Sequence, residues 1–595
     1  MTLWTLRRTA AALFMCLAIL ALLAGARTAY AQAPQTPEAV PTLAALDGPE
    51  STLATAVERF AVDRSALYRR YDAAWSPVRR ERFRTFYQEW RDRLRAMDYE
   101  PLGAESRLDW ILLDRELEYQ LHLLDQEADR FRGMAPLLPF AGPILALHEQ
   151  RRELEPVDAR AAAEELNELT AGIVAVRSEL TSSLENGQGP TPIVGLRAAD
   201  AVRSIRRTLD AWYGYHAGYD PLFTWWVETP HEALTAAMER YESFLRRRVV
   251  GYEEGEEPPI VGDPIGADGL EADLRHEMIP YSPAELIEIA EQEYAWCEER
   301  MIEASESLGF GDDWLRAVDH VKALHVAPGE QPALIEALYE QSVSFIRERD
   351  LVTIPPLAAE VWRMEMMSPE RQKVAPFFLG GEVILVSYPT AGMEHEDKLM
   401  SMRGNNEHFA RAVVHHELIP GHHLQGFMNA RHNAHRQLFR TPFWHEGNAL
   451  YWEFRLWDLG FPRGPEDQVG MLFWRMHRAA RIIFSLSFHL ERMTPQEAID
   501  FLVDRVGHER ANAEAEVRRS FNGSYPPLYQ AGYMLGGLQF QALHRELVES
   551  GAMTEREYHD AILRGGPMPV ELVRARLMGL ELSADHEAEW RFYDP

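Results

Sequence analysis

The pattern that most limits how this chain can fold is the spacing of its apolar residues, which follows the helix period almost throughout. Between Ser106 and Arg130, Trp110, Leu113, Leu117, Leu121 and Leu124 recur three or four positions apart and lay one apolar stripe along a helix. The same reading predicts long helices over 54–73, 78–97, 104–130, 157–185, 196–217, 230–249, 282–308, 331–348, 405–433, 443–458, 467–491, 495–507 and 527–548. Start signals support several of them. Ser282-Pro283-Ala284-Glu285 and Thr494-Pro495-Gln496-Glu497 each supply a cap, a first-turn proline and a glutamate three residues on, and Thr554-Glu555-Arg556-Glu557 repeats the box without the proline. Strand signals are scarce, the best being Glu382 to Tyr388 after Gly380-Gly381.

Size and composition agree with a packed helical protein. Of 595 residues, 46% are hydrophobic and 26% charged, too apolar for a disordered chain. The net charge of −31 argues against a nucleic-acid partner, because that binding neutralises phosphates with basic groups, and against an anionic membrane face. Arg7-Arg8, an apolar run from Ala10 to Leu23 and Ala29-Tyr30-Ala31 read as a secretory signal over 1–31, cut after Ala31. Its removal takes Cys16 and leaves Cys297 alone, so the exported protein must hold together by core burial without an internal disulfide. No later run is apolar enough for a stable membrane span. The Glu-, Pro- and Gly-rich stretch from Gly251 to Gly266 divides an N-terminal helical lobe, 32–265, from a C-terminal lobe, 266–595. The expected architecture is mostly α: two helical lobes around a cleft, with a short β element ahead of the histidine-rich helix.

Histidine is concentrated in one place. His415, His416, His422 and His423, four of 22, fall within nine positions, with Glu417 among them. Zinc hydrolases need two neutral imidazoles, a third ligand and an open position for water, with a carboxylate nearby to take the water's proton. The common spacing puts the histidines at i and i+4, but here that position is Pro420. His416 and His422 are six residues apart and would lie about 9 Å apart along a straight helix. Pro420 removes a helical hydrogen bond and Gly421 tolerates unusual dihedrals, so a break there could bring the two rings together. His423 is the rival second ligand. Glu446, 24 residues after His422, allows a helix, a turn and an antiparallel return, and is the third ligand, with Glu453 as its alternative. Glu417 is the natural general base, while Gln425, His423 or His445 would support the ligands from behind.

The stretch His416-Glu417-Leu418-Ile419-Pro420-Gly421-His422-His423-Leu424-Gln425, followed by Glu446-Gly447-Asn448-Ala449-Leu450-Tyr451, resembles the bacterial family catalogued as domain of unknown function 885. That family's pattern is HExxPGHHxQ and then EGWALY. Asn448 departs from its tryptophan, which puts local packing there in question. Pro527-Leu528-Tyr529-Gln530-Ala531-Gly532-Tyr533-Met534-Leu535-Gly536 is similar to its C-terminal tyrosine-and-glycine motif. The family holds zinc-peptidase-like proteins, similar at a distance to the angiotensin-converting enzyme and thermostable carboxypeptidase groups. The resemblance implies His416, His422 and Glu446 as zinc ligands and Glu417 as base. It also implies Tyr533 as the group that stabilises the oxyanion, with Tyr529 as its rival.

The expected function is that of an exported, periplasmic or extracellular, zinc-dependent hydrolase, foremost a metallopeptidase acting on short peptides. Two other readings stand beside it: a zinc hydrolase of esters or non-peptide amides, and a non-catalytic binding or scaffold protein. The strand near 383–387 offers an edge on which an extended peptide could pair, unless it forms an internal hairpin. Net acidity would favour cationic peptides, although net charge alone says little about specificity.

Overall fold

A computed structural model of the protein describes residues 50–593 apart from 254, 256, 373–377, 379 and 524. The expected signal segment lies outside the described residues. Two units are distinguished: Pro49–Thr353 with Arg363–Pro595 forms one, and Ile354–Trp362, largely the short helix Pro356–Val361, belongs to the other.

The larger unit is mostly helical, and most helices begin where their caps predict. The Ser282 and Thr494 boxes are both complete, as is the Thr554 box that lacks a proline. The helix predicted over 230–249 begins earlier, at Pro221, because Asp220 caps it and accepts from Leu222 and Phe223. Pro230, the first residue of the predicted range, lies inside that helix. The apolar stripe of 106–130 is buried along much of its length, with Leu113 and Leu117 fully enclosed. Strand content is small among the described residues. Val383–Val386 pairs in parallel with Arg363–Met366, Arg363 standing opposite Val383. Parallel pairing removes the hairpin alternative, since hairpins join antiparallel strands. No helix among the described residues is long and apolar enough to cross a membrane. Cys297 is fully buried, and burial pushes its thiol up to about 12, so it is an inert core residue.

Seven helices carry or brace the site. In chain order they are α1 (Ala104–Met134), α2 (Glu407–Glu417), α3 (His422–Asn429), α4 (Pro442–Asp458), α5 (Pro465–His489), α6 (Arg510–Phe521) and α7 (Tyr529–His544). Helices α4 and α7 cross with their backbones in near contact. A Cβ on Gly447 would fall 2.5 Å from the Gly536 Cα, and one on Gly536 would fall 2.1 Å from the Phe443 carbonyl oxygen. Helix α5 is the buried centre: every residue from Val469 to His489 is enclosed. Its Gly470 lies under α2, where a Cβ would meet the His408 carbonyl oxygen at 2.2 Å.

Candidate metal centre

The helix predicted over 405–433 is broken where Pro420 and Gly421 stand, into α2 and α3. The chain folds back on itself there. The Gly421 N–H donates to the His415 carbonyl at 3.0 Å, and a Cβ on Gly421 would sit 1.7 Å from the His416 carbonyl oxygen. Only glycine allows that approach. The break turns His422 toward His416, their ring centroids 4.8 Å apart and their planes nearly perpendicular.

Glu446, in the first turns of α4, meets both rings. Its Oε2 lies 3.0 Å from His422 Nε2 and 3.4 Å from His416 Nε2. His416, His422 and Glu446 are all buried and can each offer a ligand atom within 4.8 Å of the others; among the described residues they form the one such group of three or more. A tetrahedral zinc with bonds of about 2.0–2.1 Å needs ligand atoms roughly 3.3 Å apart, close to these two separations. Two imidazoles and one carboxylate, each presenting one atom to a common centre, are the donor set of an open catalytic zinc site, so the residues present fit the ion. His423 is buried on α3 but lies outside this group.

The remaining nitrogen of each ring is held from behind. His416 Nδ1 bonds Glu453 Oε1 at 2.7 Å, so Glu453, the alternative third ligand, orients His416 instead of joining the group. His422 Nδ1 lies 3.3 Å from Gln425 Oε1, and the Gln425 amide donates to Asn448 Oδ1 at 3.1 Å. Asn448 thus occupies the motif's tryptophan position with a polar link of its own. Burial works to raise the Glu446 pKa, but His422 and His416 override it and hold the carboxyl well below its usual range. His445 stacks on His422 at 4.1 Å and bonds Arg440.

Glu417 follows His416 and closes α2. Burial raises its pKa above the usual carboxylate range. Gly380 packs on it so closely that a Cβ there would meet Glu417 Oε2 at 2.1 Å. The Tyr529 hydroxyl donates to Glu446 Oε1. The Tyr533 ring lies nearly parallel to His416, with centroids 6.1 Å apart, and burial raises its phenol pKa. Glu417, both tyrosines and the three clustered residues line one cavity of about 270 Å³.

Sequence reasoning missed the arginines of that lining: Arg371, Arg440, Arg478, Arg481 and Arg519. A signal existed. Arg475, Arg478 and Arg481 recur every third residue in a helix that is otherwise apolar over most of its length, so they could not all reach solvent.

A family model described as bacterial protein of unknown function (DUF885) matches residues 54–577. No curated protein sequence matches this one at a significant level. Among solved structures, a candidate lipoprotein of unknown function from Shewanella oneidensis is similar with a TM-score of 0.65 at 17% identity, over 89% of this chain and 100% of that one. A candidate lipoprotein from Colwellia psychrerythraea is similar with a TM-score of 0.56 at 14% identity, over 89% of this chain and 98% of that one. At these identities the likeness is one of fold.

Proposed function

This chain belongs to the bacterial protein family of unknown function DUF885, and we propose that it is an exported zinc-dependent hydrolase of peptide bonds. The observation that carries the reading is the convergence of His416, His422 and Glu446 beside a buried Glu417 in one cavity. The signal-like residues 1–31 and the lipoprotein descriptions of the similar structures support an envelope or extracellular location. The reading includes a cleft between helical lobes as the substrate's route to the cavity.

His416, His422 and Glu446 would hold the zinc, which when bound supplies Lewis acidity toward a carbonyl oxygen and makes water a better acid. The chain's own groups do the rest. Glu417 takes a proton from the attacking water and passes it to the leaving amine nitrogen. Its raised pKa suits the second half of that task. The Tyr533 hydroxyl donates to the oxygen on which negative charge develops, while Tyr529 holds Glu446. Glu453 and the Gln425–Asn448 pair keep both imidazoles turned toward the centre. Water adds to the carbonyl carbon, the C–N bond breaks, and the products are an acid and an amine.

Elemental analysis and a peptide-library digest test this. The purified protein should carry one zinc per chain and cleave peptides. Glu417→Gln should lower kcat by about 10²–10⁴-fold with zinc retained. His422→Ala should lose zinc, and His423→Ala should keep it. A protein without zinc, or turnover undiminished in Glu417→Gln, overturns the mechanism. Zinc with cleavage of esters alone reassigns the substrate.

A further inference from the structure

The cavity's charge is opposite to that of the molecule. In a chain of net charge −31, five arginines line the cavity against two carboxylates, Glu417 and Glu446. Three of the arginines sit together on α5 and α6. Arg481 gives its Nε–H to Glu516 Oε1 at 2.6 Å, and its Nη1 has no partner among the described residues. Arg519 donates to Glu516 Oε2 at 2.7 Å. Glu516 therefore serves two guanidinium groups with one charge. Burial works to raise its pKa, but Arg481 and Arg519 override it and hold the carboxyl at about 2.

Arg478 is the exception. It is 7% exposed, yet its Nε has no hydrogen-bond partner and no carboxylate lies in ion-pair range among the described residues. Its guanidinium lies over the Tyr533 ring at 4.5 Å and the Trp474 ring at 5.3 Å, and it lines the cavity. Burial and the like charge of Arg481 lower its pKa, outweighing the more distant carboxylates of Glu453 and Glu446. An enclosed guanidinium whose nearby carboxylates stand beyond bonding distance is costly, because neither water nor a bonded acid replaces its lost hydration. Such a group aimed into a cavity is satisfied when an anion enters it, and the planar fork of arginine suits a carboxylate in particular.

We propose that Arg478, backed by Arg481 and Arg519, is a subsite for a carboxylate of the substrate. The substrate is then an anionic peptide, opposite in charge to what the molecule's net acidity suggests. This deepens the peptide-hydrolase reading and rests on it. The position follows from Tyr533, whose ring centroid lies 6.1 Å from that of His416 and 4.5 Å from the Arg478 guanidinium carbon. At about 3.3–3.6 Å per extended residue, those spacings admit one or two residues between the scissile bond and the carboxylate. That carboxylate is either the free C-terminus of a short peptide or an Asp or Glu side chain at the same place.

Calorimetric titration separates these outcomes without relying on turnover. The probes are N-acetyl-Ala-Ala, its C-terminal amide, and amidated N-acetyl-Ala-Glu, each titrated into the purified protein with and without zinc. At least one acid should bind ten times more tightly than the neutral amide. The free acid winning assigns the C-terminus, and the amidated glutamate winning assigns a side chain. Arg478→Met should remove the preference, and Arg478→Lys, which keeps the charge and loses the fork, should restore part of it. Equal binding of acids and amide by the wild-type protein overturns the subsite, as does an undiminished preference in Arg478→Met. Inorganic phosphate binding more tightly than either acid overturns the carboxylate assignment. Failure of the parent reading looks different: acids are preferred, yet no peptide is cleaved by the zinc-loaded protein.

Discussion

At the residue scale, the candidate site depends on groups outside its three clustered side chains. Glu453 is 5% exposed and fixes which nitrogen of His416 faces Glu446, through the 2.7 Å bond to Nδ1. Glu453→Gln keeps the shape and removes the charge that favours a proton on Nδ1. Zinc affinity, measured by competition with a chelator, should fall by about 10–100-fold while the fold survives. Unchanged affinity would show that Glu453 is a packing residue. His416, Glu417, His422 and Glu446 were legible in the sequence because metal chemistry restricts ligands to a few residue types, and four histidines in nine positions stand out. The choice between His422 and His423, or between Glu446 and Glu453, was not legible. It turns on which way a broken helix points its next residue, and periodicity carries no information through a break. Arg478 was hidden for another reason: an arginine on a helix reads as a solvated face unless its neighbours on every side are seen to be buried.

At the scale of elements, glycine decides where the helices can meet. Glu446 reaches the two imidazoles because α4 lies against α7, and α4 can do so because Gly447 and Gly536 leave no side chains between the backbones. The tyrosines of α7 enter the cavity through the same crossing. Gly447→Ala inserts a methyl group 2.5 Å from the Gly536 Cα, with no flexible side chain to yield. Overpacking of this kind should cost about 1–3 kcal/mol in urea unfolding and, by moving Glu446, should weaken zinc retention as well. Both readouts unchanged would mean the helices separate freely. The helices themselves were readable, since caps and apolar spacing act within a few residues. Their crossings were not. A glycine in a helix reads as a local cost, and its gain lies in a partner roughly ninety residues away in sequence.

For the molecule as a whole, the question is what ties residues near 100 to the candidate metal centre more than three hundred positions later. Asp109 of α1 is fully buried; its Oδ2 bonds His435 Nε2 at 2.6 Å and its Oδ1 accepts from Arg436 Nε at 2.7 Å. Arg436, also fully buried, donates further to Glu105 Oε2 and to the Gly565 carbonyl, both at 2.7 Å. His435 and Arg436 lie in the segment between α3 and α4, so the network anchors the connection that links His422 to Glu446. Burial works to raise the Asp109 pKa, but His435 and Arg436 override it and the carboxyl lies below its usual range. A carboxyl depressed in the folded state contributes stability above its unfolded pKa of about 3.9, and that contribution is lost as pH falls through the lower folded value. Asp109→Asn leaves Arg436 enclosed with Glu105 as its remaining carboxylate and takes the carboxylate from His435, and should cost up to about 3–5 kcal/mol at pH 7. Urea midpoints of wild type and variant, measured from pH 7 down toward pH 2, should converge at the acid end, where the wild-type carboxyl is itself protonated. A gap that stays constant with pH would assign the loss to packing and remove Asp109 from the electrostatic network.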